Sequence, residues 1–281
     1  MTGVWRAVSE AEHLARDDDM SLPFGHFAPN PVQSALIALA RSTPLHRGLF
    51  RRTMTRLIMG SGTQPLDIDF RDCSYRLRGL NNLIEFGLLL NPNYNAGDID
   101  FLATHLPPGG VFVDIGSNVG LYSLPLARKA GAAGKVVAID ANPLMARRLA
   151  WNAEASGIGT VAIFECAVSD HEGAGRLAIR KDDIAIVALE DDDSGSVPVR
   201  RLESVLAEAG VDRVDCLKID IEGHEEKVLP SFIDAASEAM LPKAIVIERP
   251  PEGDYPLCVG AFARRGYRQA GRSRNNTFFE R

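Results

Sequence analysis

The run from Val111 to Ser123, VFVDIGSNVGLYS, constrains this chain more than any other stretch. Val111, Phe112 and Val113 are β-branched or aromatic, the pattern of a buried strand. The strand ends at Asp114. Gly116 and Gly120 then flank the small polar pair Ser117 and Asn118, so the backbone can turn tightly and approach a ligand with no Cβ in the way. From Val119 onward, Leu121, Leu124 and Ala127 recur at helical spacing. Strand, glycine-rich turn and helix together make the first half of a nucleotide-type βαβ unit.

The pattern is D-x-G-x-N-x-G rather than the G-x-G-x-x-G of dinucleotide binders. An acid at the strand end suits a ligand with a cationic amino group, whereas pyrophosphate favours bare amides at a helix N-terminus. One βα unit on, Lys135–Ile139 reads as a second strand and ends at Asp140, whose carboxylate is placed to accept from both ribose hydroxyls of an adenosine. Asp114 and Asp140 with the turn between them describe an S-adenosylmethionine pocket better than an NAD pocket. The donor-binding candidates are Asp114, Gly116, Ser117, Asn118, Gly120, Tyr122, Ser123, Asp140, Ala141, Asn142, Ala167, Val168 and Asp220. Ala167 and Val168 follow the third strand, Val161–Phe164, where small apolar side chains suit a flat adenine.

The 281 residues are 46% hydrophobic and 24% charged, enough for one large core or a core with an extension. A net charge of -6 argues against nucleic acid as the main partner. Cys73, Cys166, Cys216 and Cys258 are far apart and form no C-x-x-C pair, which fits a reducing cytosol. Asp17, Asp18 and Asp19 stand where a signal peptide would continue its apolar region, and no run approaches the ~20 residues of a membrane span. The expected location is cytoplasmic, with no transmembrane segment.

Residues 1 to about 30 read as loosely organised, and Gln33–Ala40 as a short helix. Leu45, Leu49, Phe50, Met54, Leu57 and Ile58 share a helical face, opposed by Arg47, Arg51, Arg52 and Arg56. This helix is expected to dock within the protein as a cover over the acceptor side of the crevice, some arginines facing substrate and Asp17–Asp19 folded back near them. Residues 66 to 90 read as strand material, and Ile99–Leu106 as a short helix or connector. Pro143 opens a helix on which Trp151 is a core residue rather than an adenine-stacking one. Arg176–Arg180, Ile184–Leu189 and Val197–Val199 form a β insertion with a solvated acidic tip at Glu190–Asp193. Leu202–Ala209 is helical, Val214–Ile219 and Ala244–Ile247 are the fourth and fifth strands, and a helix-to-strand tail closes the sheet.

With these residues in view, the sequence resembles the FkbM family of S-adenosylmethionine-dependent methyltransferases. VFVDIGSNVGLYS, AIDANP around Asp140, AVSD at 167–170, VPVRRLESVL, LKIDIEGHEEKVL at 217–229, IVIE at 245–248 and the terminal Gly266-Tyr267 with Asn275-Asn276 carry the likeness over roughly residues 75 to 280. Asp140 stands where the family more commonly has Glu, and Pro125 interrupts the first helix early, tolerable in its opening turns. The resemblance implies an α/β, Rossmann-like class I methyltransferase fold. Its mostly parallel sheet has helices on both faces and a β insertion before the fourth strand. The methyltransferase domain spans 66–281, and 1–65 is a mostly helical extension. It also implies methylation of a hydroxyl on a sugar, glycolipid or polyketide-like product, so the partner is a small-molecule, saccharide or lipid-linked acceptor. A homo-oligomer is left open.

A protonated alcohol is a poor nucleophile, so a base or metal is expected at the carboxyl edge of the strands. Asp220, Glu248, His224 and Glu222 are the catalytic candidates. Asp220 and Glu248 end separate strands, and closely placed carboxylates raise one pKa. Glu225 favourably begins a helix. A divalent metal on Asp220, His224 and Glu248 is compatible with these groups, but their spacing does not indicate one. Two other readings are an NAD-dependent oxidoreductase, disfavoured by Asp114 and the missing third glycine, and a non-catalytic S-adenosylmethionine-binding partner protein, disfavoured by the intact acid set.

Overall fold

Two short helices precede the first hairpin of the chain. The computed structural model describes residues 5–7, 18–78, 82–180, 183–191, 195–250 and 253–281. After the short strand β1 (Trp5–Ala7), helix α1 (Pro31–Ser42) starts at a capping box, with Asn30 accepting from Gln33 N and the Gln33 side chain returning to Asn30 N. Helix α2 (Gly48–Gly60) follows, then the antiparallel hairpin β2 (Leu66–Phe70) and β3 (Cys73–Leu77). Helix α3 (Leu83–Leu90) replaces the end of the expected strand material at 66–90. Asn82 Oδ1 accepts from the amides of Ile84 and Glu85, and a run buried from Glu85 to Leu90 carries no alternation to separate helix from strand. Helix α4 (Ala96–His105) leads into the central sheet.

That sheet begins with β4 (Val111–Ile115), α5 (Ser123–Ala130), β5 (Lys135–Asp140), α6 (Pro143–Ala155) and β6 (Val161–Glu165). An inserted second sheet combines β7 (Ala167–Ser169), β8 (Gly173–Arg180), β9 (Asp183–Asp191) and β10 (Val197–Arg201) with β1. The side chains of the expected acidic tip lie outside the described residues. The chain returns through α7 (Leu202–Glu208), β11 (Cys216–Ile219), α8 (Glu225–Ala235), β12 (Ala244–Glu248), α9 (Pro256–Arg264) and the hairpin β13 (Arg268–Arg272) and β14 (Asn276–Glu280). The strand order is β13-β14-β12-β11-β4-β5-β6; β12, β11, β4, β5 and β6 are parallel, and β14 runs against β12. This is the doubly wound, Rossmann-like arrangement expected from the sequence.

Alternate residues of the strands feed two cores. Phe112, Val136, Ala138, Cys216, Val246 and Phe278 face one; Val113, Ile115, Val137, Ile139, Leu217, Ile219 and Ile247 face the other. Period-2 alternation thus fills both sides of a sheet buried on both faces. Each fully buried aliphatic or aromatic side chain contributes ~1.5–3 kcal/mol.

Ile37, Ala40, Met54, Ile58 and Met59 join the first core, so α1 and α2 pack into the domain beside α3. The expected cover over the acceptor side is corrected here. Phe50 and Leu57 stay 62% and 50% exposed, and none of Arg47, Arg51, Arg52 and Arg56 lines either cavity described below. Asp19 does not reach those arginines; it pairs with Arg78, while Asp17 lies outside the described residues. Arg76 ties down the stretch before α1 by donating to Leu22 O at 2.9 Å and Pro23 O at 2.8 Å; a buried two-pronged pair with Asp67 at 2.7 and 2.9 Å holds its guanidinium, which stacks 4.0 Å over Trp151. Trp151 is therefore a packing residue. Among the described residues, no helix is long and apolar enough to cross a membrane.

Candidate active site

The chain leaves β4 for β5 on one side and reaches β11 on the other, so a crevice opens where the strand order reverses. Gly116 turns there with φ 74°, and its amide donates to Ile139 O at 2.9 Å. A Cβ at Gly116 would lie 2.0 Å from the carbonyl oxygen of Asp220, so only glycine lets the two strand ends approach this closely. Asn118 takes the left-handed conformation at φ 49° and donates its amide to Asp140 Oδ2 at 2.7 Å. Asp140 Oδ1 accepts from Asn142 N at 2.8 Å. Burial pushes the Asp140 carboxyl up to about 6, opposed by these two amides.

A cavity of about 230 Å³ occupies the crevice. Of the donor-binding candidates, Gly116, Asn118, Asp140, Ala141, Ala167, Val168 and Asp220 line it, and so do all four catalytic candidates, Asp220, Glu222, His224 and Glu248. Ile84, Ile139 and Leu177 complete an apolar wall around Ala167 and Val168. Cys166 also faces it, and burial pushes its thiol up to about 11, which keeps the sulfur neutral.

Asp114, Ser117, Gly120, Tyr122, Ser123 and Asn142 do not line the cavity. The expectation that Asp114 meets a ligand's amino group is corrected: it is fully buried beneath the turn, accepting from Ser123 Oγ at 2.5 Å and lying 3.8 Å from Lys218 Nζ. Tyr122 donates to Asp98 at 3.0 Å, and Asn142 caps α6 through Leu144 N at 3.0 Å. These residues shape the wall from behind.

Lys218 sits inside β11, 3% exposed, and donates to Gly116 O at 2.9 Å. Its ammonium lies between Asp114 and Asp220, 3.8 and 3.7 Å away. Burial alone would lower its pKa, but Asp220 and Asp114 outweigh that and hold it above the ordinary value. Asp220 anchors its own amide on Ile115 O at 3.1 Å, and its side chain hydrogen-bonds Glu248 at the end of the adjacent strand. Burial, and then the charge of Asp220, push the Glu248 carboxyl far above the usual range. Glu248 therefore keeps its proton near neutral pH.

The methyltransferase FkbM domain family matches residues 114–258, more than half of the chain. The chain belongs to the FkbM family of S-adenosylmethionine-dependent methyltransferases. Among similar proteins, 31-O-demethyl-FK506 methyltransferase FkbM of Streptomyces tacrolimicus is 27% identical over 187 residues, covering 50% of this chain and 71% of that one. Methyltransferase sdnD of Sordaria araneosa is 27% identical over 202 residues, covering 58% and 75%. AMB antimetabolite synthetase AmbE of Pseudomonas aeruginosa is 28% identical over 170 residues, 47% of this chain but 8% of its own length.

In this FkbM-family chain the loop after β11 is held by Glu225, fully buried, which accepts from Ile221 N at 2.8 Å and Gly223 N at 2.9 Å. Those bonds set Glu222 in the left-handed conformation at φ 55°. Asp220, Glu222 and Glu248 bring one carboxylate oxygen each within 4.8 Å of the others, so the close trio contains Glu222 in place of His224, the third group of a metal set that the sequence allows without indicating. Three acids alone do not make a metal site, and the proton held by Glu248 relieves their repulsion equally well. Lys218 was absent from the sequence candidates. The signal was there: a lysine inside an otherwise apolar strand must find carboxylates to remain charged when buried.

The raised Glu248 pKa has a stability consequence. The folded carboxyl keeps a proton that the unfolded chain releases above its ordinary 4.5. Stability is therefore greatest below that value and falls as pH rises towards the folded pKa. Glu248→Gln removes this loss, so its melting temperature should exceed the parent's at pH 8 by about 2–4 °C. The gain should shrink at pH 5. Thermal unfolding at the two pH values checks this; an equal difference at both would disprove the proton assignment.

Proposed function

We propose that this chain transfers a methyl group from S-adenosylmethionine to a hydroxyl of a small-molecule, saccharide or lipid-linked acceptor. The observation that carries the reading is the Asp220–Glu248 carboxyl pair on the wall of a cavity whose glycine turn and Asp140 suit an adenosine. The fit of the donor rests on chemistry. Asp140 offers ribose an acceptor with free lone pairs, Ala167, Val168 and Ile139 offer the base a flat apolar seat, and Gly116 admits close backbone approach.

The donor supplies an electrophilic methyl group on sulfur. The S–CH₃ electron pair stays on sulfur, an acceptor oxygen lone pair forms the new C–O bond, and the hydroxyl proton passes to Asp220. Lys218 holds Asp220 in place, while Glu248, neutral, hydrogen-bonds the carboxylate that takes the proton. His224 and the exposed Glu222 border the same space.

Incubation with methyl-labelled donor and fractionated cell extract tests the reading. Label in an alkali-stable methyl ether is expected; label confined to nitrogen, carbon or ester products would exclude it. Asp140 gives a second check. Its carboxylate accepts best when ionised, so affinity for S-adenosylhomocysteine should fall about tenfold from pH 7 to pH 5. Asp140→Ala should lose at least roughly tenfold at pH 7, from hydrogen bonds to a charged acceptor worth ~1–3 kcal/mol. Calorimetry with unchanged affinity in both experiments would remove Asp140 from the donor site.

A further inference from the structure

A second cavity of about 850 Å³ adjoins the first and shares Glu222, Glu248 and Asn275 with it. Beyond the shared edge its wall turns basic: Arg249, Arg272 and Arg274 line this cavity and not the first. They come from two separate places, the end of β12 and the tip of the β13–β14 hairpin. Backbone bonds lock the two together, since Arg249 N donates to Asn275 O at 2.8 Å and the Arg249 guanidinium donates to Arg274 O at 2.7 Å. Arg272 pairs with Asp254, which Thr277 Oγ1 also holds at 3.0 Å. Neither Arg249 nor Arg274 has a carboxylate partner among the described residues.

Three arginines line one cavity whose lining acids, Glu222 and Glu248, lie at the edge shared with the first, and among the described residues only Arg272 of the three is paired with a carboxylate, an arrangement for an oxyanion. Guanidinium forks bind carboxylate and phosphate through two parallel hydrogen bonds, which fixes orientation as well as affinity. The acids at the shared edge lie on the side of the donor cavity, so charge changes sign along the groove. A molecule with an anionic group at one end and a hydroxyl at the other would match that polarity, the hydroxyl lying at Asp220 and Glu248.

We propose that the methyl acceptor is an anionic alcohol, its phosphate or carboxylate seated on Arg249, Arg272 and Arg274. This rests on the methyl-transfer reading above and specifies its substrate class. The arginine end is the anchor; the acid end is the reacting end.

The test uses the full chain saturated with S-adenosylhomocysteine and titrated calorimetrically with inorganic pyrophosphate and with citrate. Binding of at least one is expected, and the stronger of the two tells phosphate from carboxylate. Arg274→Ala should weaken it roughly fivefold or more, and Arg249→Ala by a similar factor. Arg274→Lys should keep part of the affinity, and the exposed Arg52→Ala on α2 all of it. Affinity for S-adenosylhomocysteine should be unaltered throughout. Arg274 is exposed and its side chain supports no described contact, so its variants report on binding rather than folding. Anion affinity that is absent in the parent, or unchanged in Arg274→Ala, would overturn the anionic acceptor while leaving donor binding intact. An equal loss of S-adenosylhomocysteine affinity in Arg274→Ala would also overturn it, by placing the arginines on the donor. Failure of the parent to bind S-adenosylhomocysteine would remove the methyl-transfer reading, and this one with it.

Discussion

Asp220→Asn should lower methyl transfer by at least about a hundredfold, the usual size of losing a positioned base, with affinity for S-adenosylhomocysteine little changed. Asparagine keeps the shape of the side chain and leaves the backbone bond from residue 220 to Ile115 O intact. What it removes is the negative charge that faces Lys218 at 3.7 Å and that, in the proposed reaction, takes the acceptor's proton. The same charge helps to hold Glu248 neutral, so its loss lets Glu248 ionise more readily. Burial still keeps the Glu248 pKa high. Residual activity in the variant should therefore climb towards alkaline pH, where Glu248 becomes a substitute base. Rates of labelled-methyl transfer across pH check both points. Near-normal turnover at neutral pH would rule out Asp220 as the base.

Gly116→Ala should abolish measurable donor binding and cost about 3 kcal/mol or more of stability, through left-handed strain and a steric clash. In a domain of this size that is roughly 5–10 °C in melting temperature. The new methyl would meet the carbonyl oxygen of Asp220 at 2.0 Å, and that atom is backbone, fixed by the pairing of β11 with β4. It cannot rotate away; the strand ends must part, which moves Asp220 and opens the floor of the crevice. Gly131→Ala is the control. It has nearly the same φ, 75°, but its added methyl meets nothing within 4 Å, so it should show the strain alone. Thermal unfolding and calorimetry on the two variants separate the causes. Equal losses in both would show that the contact with Asp220 is immaterial.

The order of elements and the floor of the site were legible because parallel strands buried on both faces read as apolar runs, and the residue that ends each run stands at the open edge. Asp140, Asp220 and Glu248 could all be found that way, as could the glycine turn after β4. Local signals had limits even there. Leu83–Leu90 is apolar and buried nearly all round, so nothing in its pattern separated helix from strand until Asn82 was seen capping it.

Tertiary structure decided everything that depends on which strands are neighbours. Asp114 and Lys218 are far apart in the chain, yet β4 and β11 pair and bring them within 3.8 Å. That pairing turns Asp114 from a ligand contact into a buried counter-charge. The parallel alignment of β11 with β12 joins Asp220 to Glu248 and so fixes which carboxyl keeps the proton. The antiparallel return of β14 carries Arg272 and Arg274 to Arg249. The sequence by itself determined the strands and the acids that end them. Their pairing, protonation and basic neighbour were set by long-range contacts, because electrostatic coupling depends on distance in space and a linear pattern records only distance along the chain.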